Sequence, residues 1–215
     1  MSTATESNLN LGILDQAVNL VRFNAFPVHS KEASLIRVYP RLLRTARSAD
    51  AEVLDTFLLL ATLVHGWLPN SLQIEEEKLP AAVDAFDQAR DERQAFSLQI
   101  VEAVANCLQS LVAASRVLHF ANPYAYPTWD PAIEHFRLGR APSPYHMMQM
   151  ANYGDYVRDV QKLKGETGFL GFHHAYCMNY QQRLRRLAIP PYPLTDMRVI
   201  ESAVYEIILA RDMGN

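Results

Sequence analysis

Apolar residues recur along most of this chain at the spacing of one helix face. Leu11, Leu14, Val18 and Val21 open the pattern. The segment "FPVHSKEASL" interrupts it and offers Ser30 as the N-cap of a second helix over about 31–48, with Leu35, Val38, Leu42 and Ile36 as its inward positions. A third helix over about 51–66 is apolar on nearly every side through "TFLLLATLV", which predicts burial all round, and Gly66 and Pro69 supply its stop signals. The acidic linker "EEEKLP" leads into a helix over about 80–91. The next, over about 93–110, carries Phe96, Ile100, Val104 and Cys107 or Leu108 on one side, and a short apolar helix follows over about 111–120. Further helical patterns cover about 131–138, 144–163, 168–187 and 195–212, the last two separated by Pro190, Pro191 and Pro193. Alternating apolar and polar runs with Asn-Gly turns, the mark of strands and hairpins, are absent. The pattern predicts an all-α chain of about nine helices, with residues 1–8 as a polar tail, 9–215 as one helical domain and the 56–65 helix deeply buried.

One stretch departs from this regularity. In "SRVLHFANPYAYPTWDPAIEHF", residues 115–136, an apolar helix stops at Asn122-Pro123, an aromatic segment follows, and Asp130-Pro131 opens a new helix. Aspartate accepts backbone N–H bonds as an N-cap, and proline suits the first helical position. Tyr124, Tyr126 and Trp129 are large enough to fill space between two helices while their polar tips find backbone partners.

Composition narrows the choice of chemistry. The chain has 215 residues, a hydrophobic fraction of 49% and a formal net charge of −3, which suits a globular protein and counts against a dedicated nucleic-acid binder. The charge is segregated: residues 50–110 carry a net −8, whereas 1–49 carry +3 and 131–215 carry +2. Within the basic first part, Arg37, Arg41, Arg44 and Arg47 recur every three or four residues, so a helix places them on one stripe suited to phosphates or to a solvated face. "RLRR" at 183–186 is a second basic cluster. Cys107 and Cys177 form no CxxC pair and read as buried reduced thiols. His119, His135, His146, His173 and His174 show no metal-ligand spacing, and His119 reads as a core histidine that pins the following turn. GxSxG, GxGxxG and GxxxxGK[ST] do not occur. No metal or cofactor is expected. "MSTATESNLN" lacks the basic and apolar regions of a signal peptide, and no apolar run is long enough for a membrane span, so a cytoplasmic protein is expected.

Two stretches carry a resemblance. "HGWLPNSL" (65–72) and the 115–136 stretch resemble a family of uncharacterised small bacterial helical proteins with a W-[ML]-P motif and a signature of the form S-[KR]-x-L-H-F-x-x-P-x-x-[FY]-P-x-[WY]-D. The matching positions are Ser115, Arg116, Leu118, His119, Phe120, Pro123, Tyr126, Pro127, Trp129 and Asp130, and "TDMRVIESAVYE" (195–206) resembles that family's closing helix. The layout of 115–136 is also similar, more distantly, to helix-hairpin-helix DNA glycosylases. That resemblance implies a glycosylase-like fold with Asp130 as the catalytic carboxylate, stabilising the positive charge that develops on the sugar as the base leaves. The Gly-Pro-Gly type turn and the four-cysteine iron–sulfur motif of those enzymes are absent.

Two functional expectations follow. Under the first, the chain is a DNA glycosylase-like base-excising or DNA-binding protein, in which Asp130 acts on the sugar, Trp129, Tyr126, Tyr124 and His119 hold the base, and Arg37, Arg41, Arg44 and Arg47 contact phosphates. Under the second, it is a non-catalytic helical interaction or regulatory module with a protein partner, Asp130 serving only as a cap. Burial separates them: a catalytic Asp130 keeps an oxygen facing a cleft, whereas a capping one spends its oxygens on hydrogen bonds.

Overall fold

The computed structural model describes residues 7–23, 30–66, 68 and 71–213. Residues 1–6 of the expected tail, the break at 26–29, and Trp67 and Pro69 of the tryptophan–proline motif lie outside them. The described residues are all-α, as the periodicity predicts, and contain no strand. The helices are α1 Leu11–Leu14, α2 Gln16–Phe23, α3 Lys31–Ala46, α4 Val53–His65, α5 Leu79–Ala89, α6 Leu98–Leu108, α7 Leu111–Ala121, α8 Pro131–Leu138, α9 Pro144–Met147, α10 Met150–Lys164, α11 Phe169–Arg186 and α12 Asp196–Met213, with a 3₁₀ turn at Glu76–Lys78.

Caps explain where several helices begin. Asn10 Oδ1 accepts from Ile13 N and starts α1, Ser97 Oγ accepts from Ile100 N and starts α6, and Ser110 Oγ accepts from Ala113 N and starts α7. The cap at Ser97 is why 93–97 is not helical although its apolar spacing runs on. Gln109, at φ 49°, ends α6 in the left-handed region, so α6 and α7 are distinct helices. The expected 144–163 helix is two, α9 and α10. Pro40 sits inside α3 without ending it.

The residues group into two compact units. The first draws on residues up to 37, on 130–143 and on 155 onward; the second comprises 38–129 and 144–154. In the first unit α2 packs on α11 and α12, while α1 and α8 also pack on α12. Its core holds Leu14, Ala17, Val21, Ile133, Phe172, Tyr176, Tyr180, Ile200 and Val204. Two buried arginines are paired within it. Arg137 forms a bidentate pair with Glu134 (Nε to Oε2 2.8 Å, Nη2 to Oε1 2.7 Å) and reaches Asp159 at 2.8 Å. Arg183 is held by both oxygens of Glu206. In the second unit α5, α6 and α7 pack in succession and α4 lies on α5 and α7. Phe57, Leu60, Val64, Phe86, Val101, Val104 and Leu118 are its apolar centre.

Two expectations about burial are corrected. The 56–65 helix is not buried all round. Phe57, Leu60, Ala61 and Val64 point inward, but Leu54, Leu59 and Leu63 are 42%, 48% and 38% exposed, because α4 packs chiefly on α5 and α7. The helix enclosed over most of its length is α12, where Glu201, Ser202 and Glu206 are buried beside Ile200, Ala203, Val204 and Ile207. In α3 the inward positions are Ala33, Ile36, Tyr39, Leu42 and Ala46, so Leu35 and Val38 lie to one side of the buried stripe.

Candidate functional site

The 115–136 stretch is built by side chains that hold backbone. At the end of α7, Asn122 N donates to Leu118 O at 2.8 Å, and Asn122 Oδ1 accepts from Tyr124 N (3.1 Å) and Ala125 N (3.2 Å). The amide at the other end of the side chain donates to Asp91 O at 3.0 Å, so one residue stops the helix and turns the chain. Two side chains of α7 then pin the returning segment. Ser115 Oγ accepts from Trp129 N at 3.1 Å and lies 2.9 Å from Val112 O and 3.3 Å from Trp129 O. His119, fully buried, places Nδ1 2.9 Å from Tyr126 O and Nε2 2.9 Å from Tyr39 Oη. A carbonyl only accepts, so Nδ1 carries a proton and donates it to Tyr126 O. The Ser-x3-His spacing sets both side chains on one helix face.

The aromatic residues lie inside this frame. Tyr126 and Trp129 have no exposed surface. Trp129 packs on Tyr153 with ring centroids 5.5 Å apart, Phe96 packs on Tyr126 at 5.6 Å, and Tyr153 Oη donates to Pro127 O at 2.8 Å. Burial pushes the Tyr126 hydroxyl up to about 12 and Tyr153 well above the ordinary tyrosine value. Tyr124 differs: it is 52% exposed, with the Arg47 guanidinium 5.9 Å from its ring centre. These rings and His119 belong to the second unit, and Asp130 belongs to the first.

Asp130 is 5% exposed and its φ and ψ, −153° and 171°, are those of an N-cap. Oδ1 accepts from Ala132 N at 2.9 Å and Ile133 N at 3.0 Å, and Oδ2 accepts from the Tyr205 hydroxyl of α12. Both carboxylate oxygens are therefore engaged. Pro131 occupies the first helical position, as its sequence placement predicts.

Arg37, Arg41 and Arg44 lie on α3 and Arg47 just past its end, and their side chains meet different surroundings. Arg37 donates to Leu187 O at 3.1 Å. Arg47 forms an ion pair with Glu92 at 2.7 Å. Arg41 and Arg44 are exposed. In the second basic cluster, Arg183 is buried on Glu206 while Arg186 donates to Arg22 O at 2.7 Å.

Arg44 lines a groove of about 380 Å³ between α3 and α4, shared with Thr45, Ser48, Ala51, Asp55, Thr56 and Leu59. Thr56 is 2% exposed, and its Oγ1 has no hydrogen-bond partner among the described residues. A hydroxyl in a helix ordinarily bonds the carbonyl four residues back. Sequence reading missed this groove. The signal for it was Asp55 and Thr62 within an otherwise apolar helix, which mark the side of α4 that faces water.

Among the described residues no helix is long and apolar enough to cross a membrane, and no three His, Cys, Asp or Glu side chains are placed to hold a metal ion. No protein-family model, curated protein or solved structure matches this chain.

Proposed function

We propose that the chain is a non-catalytic helical interaction module that seats an amphipathic helix of a partner protein in the groove between α3 and α4. The observation that carries this reading is the half-exposed leucine surface of α4: Leu59 lines the groove and Leu63 stands one turn further on. Large apolar side chains left in water on a helix whose other face is core are the ordinary anchor surface of helix-in-groove recognition. Arg44, across the groove from Leu59, selects a partner with an acidic side chain beside its apolar anchors.

The engagement of Asp130 supports this reading over base excision. An aspartate that accepts two backbone N–H bonds and a tyrosine hydroxyl has no oxygen turned to a substrate, and Trp129 and Tyr126, wholly enclosed, present no face for a flipped base to stack on.

A photoreactive residue at position 59, compared with one at Leu170, which is 81% exposed, tests the groove. The expected result is a crosslink to one partner segment from position 59 only. That segment, made as a synthetic peptide, should be an acidic amphipathic helix that binds wild type and loses affinity for Arg44→Glu. Equal crosslinking at both positions sinks the proposal. A base-release assay on damaged duplex DNA supplies the contrary outcome: activity in wild type that disappears in Asp130→Asn would replace this reading with the glycosylase one.

A further inference from the structure

The α3–α4 groove carries both signs of charge. Arg44 and Asp55 line it together, both are exposed, and neither forms an ion pair or a hydrogen bond through its side chain among the described residues. Each has an exposed neighbour of its own sign one turn earlier, Arg41 on α3 and Glu52 at the start of α4. The patch is therefore basic on the α3 side and acidic on the α4 side. Asp55, Leu59 and Thr62 follow one another at helical spacing, so the outward face of α4 is amphipathic, with leucine anchors beside a carboxylate. That is the partner helix the groove calls for, and the chain itself supplies it. All of these residues belong to the second unit.

We infer that the occupant of the groove is a second copy of this chain, the two α4 faces pairing across a two-fold axis. This rests on the reading of the groove as a helix-docking site and names its occupant. An isologous interface uses the same patch on both copies, so every residue must find its complement within that patch. A two-fold axis passing between Arg44 and Asp55 exchanges their positions and lays each charge on its opposite in the second copy. Two ion pairs form for one contact, and Leu59 and Leu63 leave water together. The leucines supply the affinity and the charges set the register. Other exposed faces lack this property. α5 carries acidic charges only, and the exposed charges in the last turn of α11, Arg185 and Arg186, are both basic, so two copies of either surface repel each other.

Sedimentation equilibrium of the purified full chain over a range of concentrations tests the pairing. A reversible dimer is expected. Arg44→Asp and Asp55→Arg should each raise its dissociation constant on the order of tenfold, because symmetry turns one substitution into two like-charge contacts. The double variant Arg44→Asp/Asp55→Arg should restore the wild-type value, which a merely damaged fold would not do. A photoreactive residue at position 59 of the purified chain reads the interface without altering either charge, and the expected product has twice the chain mass with the attachment on α3 or α4 of the second copy. A chain that stays monomeric at millimolar concentration overturns the inference, as does a dimer that the single variants leave unchanged or the double variant fails to restore. A monomer that crosslinks from position 59 to an acidic helix of a different protein overturns the second copy as occupant and leaves the groove as the docking site. A dimer insensitive to Arg44 and Asp55, with no crosslink from position 59 to any protein, overturns both.

Discussion

At the scale of single residues, the 115–136 stretch is held by side chains that each make two or more hydrogen bonds at once. Ser115 and His119 sit one turn apart on α7 and fasten Trp129 and Tyr126 by their main chains. Asn122 terminates the helix and orders the turn. Asp130 starts α8 and binds Tyr205. Each of these polar groups is buried, so removing one strands its partner in a dry environment, which costs more than the bond itself contributes. Asp130→Ala should therefore lower stability by about 2–4 kcal/mol, combining the lost cap with the lost bond from Tyr205. Asp130→Asn, which still accepts at the cap, should cost about 1 kcal/mol. Urea denaturation of the two variants measures the difference. Equal and negligible losses would show that the carboxylate is not the structural element that its bonds imply. The cap itself was legible, because Asp-Pro before an apolar run has one local meaning. Its second partner was not, since Tyr205 is brought to Asp130 by tertiary packing, which leaves no trace in local spacing.

At the scale of elements, composition and burial part company in two helices. α4 is the most apolar stretch of the chain and still shows half its circumference to water, while α12, with two glutamates inside it, is enclosed. Burial follows the number of packed neighbours. α4 meets α5 and α7, whereas α12 meets α1, α2, α8 and α11, and its buried carboxylates are tolerated because Arg183 and Arg198 meet them. The two faces of α4 give a direct test. Leu60→Ala, on the enclosed face, should cost about 2–5 kcal/mol by leaving a cavity. Leu59→Gln, one residue away, should change stability by less than about 0.5 kcal/mol. Thermal or urea unfolding of the pair distinguishes them, and comparable losses would mean that Leu59 is part of the core. The existence of most helices was legible because period and caps agree, as at Ser110 before α7. Which side of α4 faces out is marked at Asp55 and Thr62 alone, because the apolar residues around the rest of the helix carry little periodic contrast to read.

At the scale of the whole chain, the side-chain clusters show the same division. His173 and Cys177 are four apart and visibly share a helix face, but Asp196 reaches His173 only after a proline-rich connection whose path the sequence does not state. Arg37, Arg44 and Arg47 share a spacing, yet their ends meet a carbonyl, a groove and a glutamate respectively, because partners are chosen by elements far away in the chain. One global property does follow from the burial of many tyrosines. Burial raises Tyr126, Tyr153, Tyr176 and Tyr180 above the ordinary tyrosine value, Tyr126 to about 12, and raises Cys107 and Cys177 above the ordinary thiol value. In each case the unfolded chain releases the proton at lower pH than the native state does. Above the unfolded values the native state thus binds more protons, and stability falls as pH rises. The contribution of these groups is complete below about pH 9 and declines progressively through about pH 12. Unfolding midpoints in urea should be flat against this set of groups from neutral pH to the unfolded cysteine value and then drop steeply. Tyrosinate absorbance should appear together with loss of helical circular dichroism. Substituting Tyr153, whose hydroxyl is both buried and bonded to Pro127, by phenylalanine should flatten that alkaline slope while lowering stability at neutral pH. Ionisation of the buried tyrosines in a fully helical chain would contradict the account.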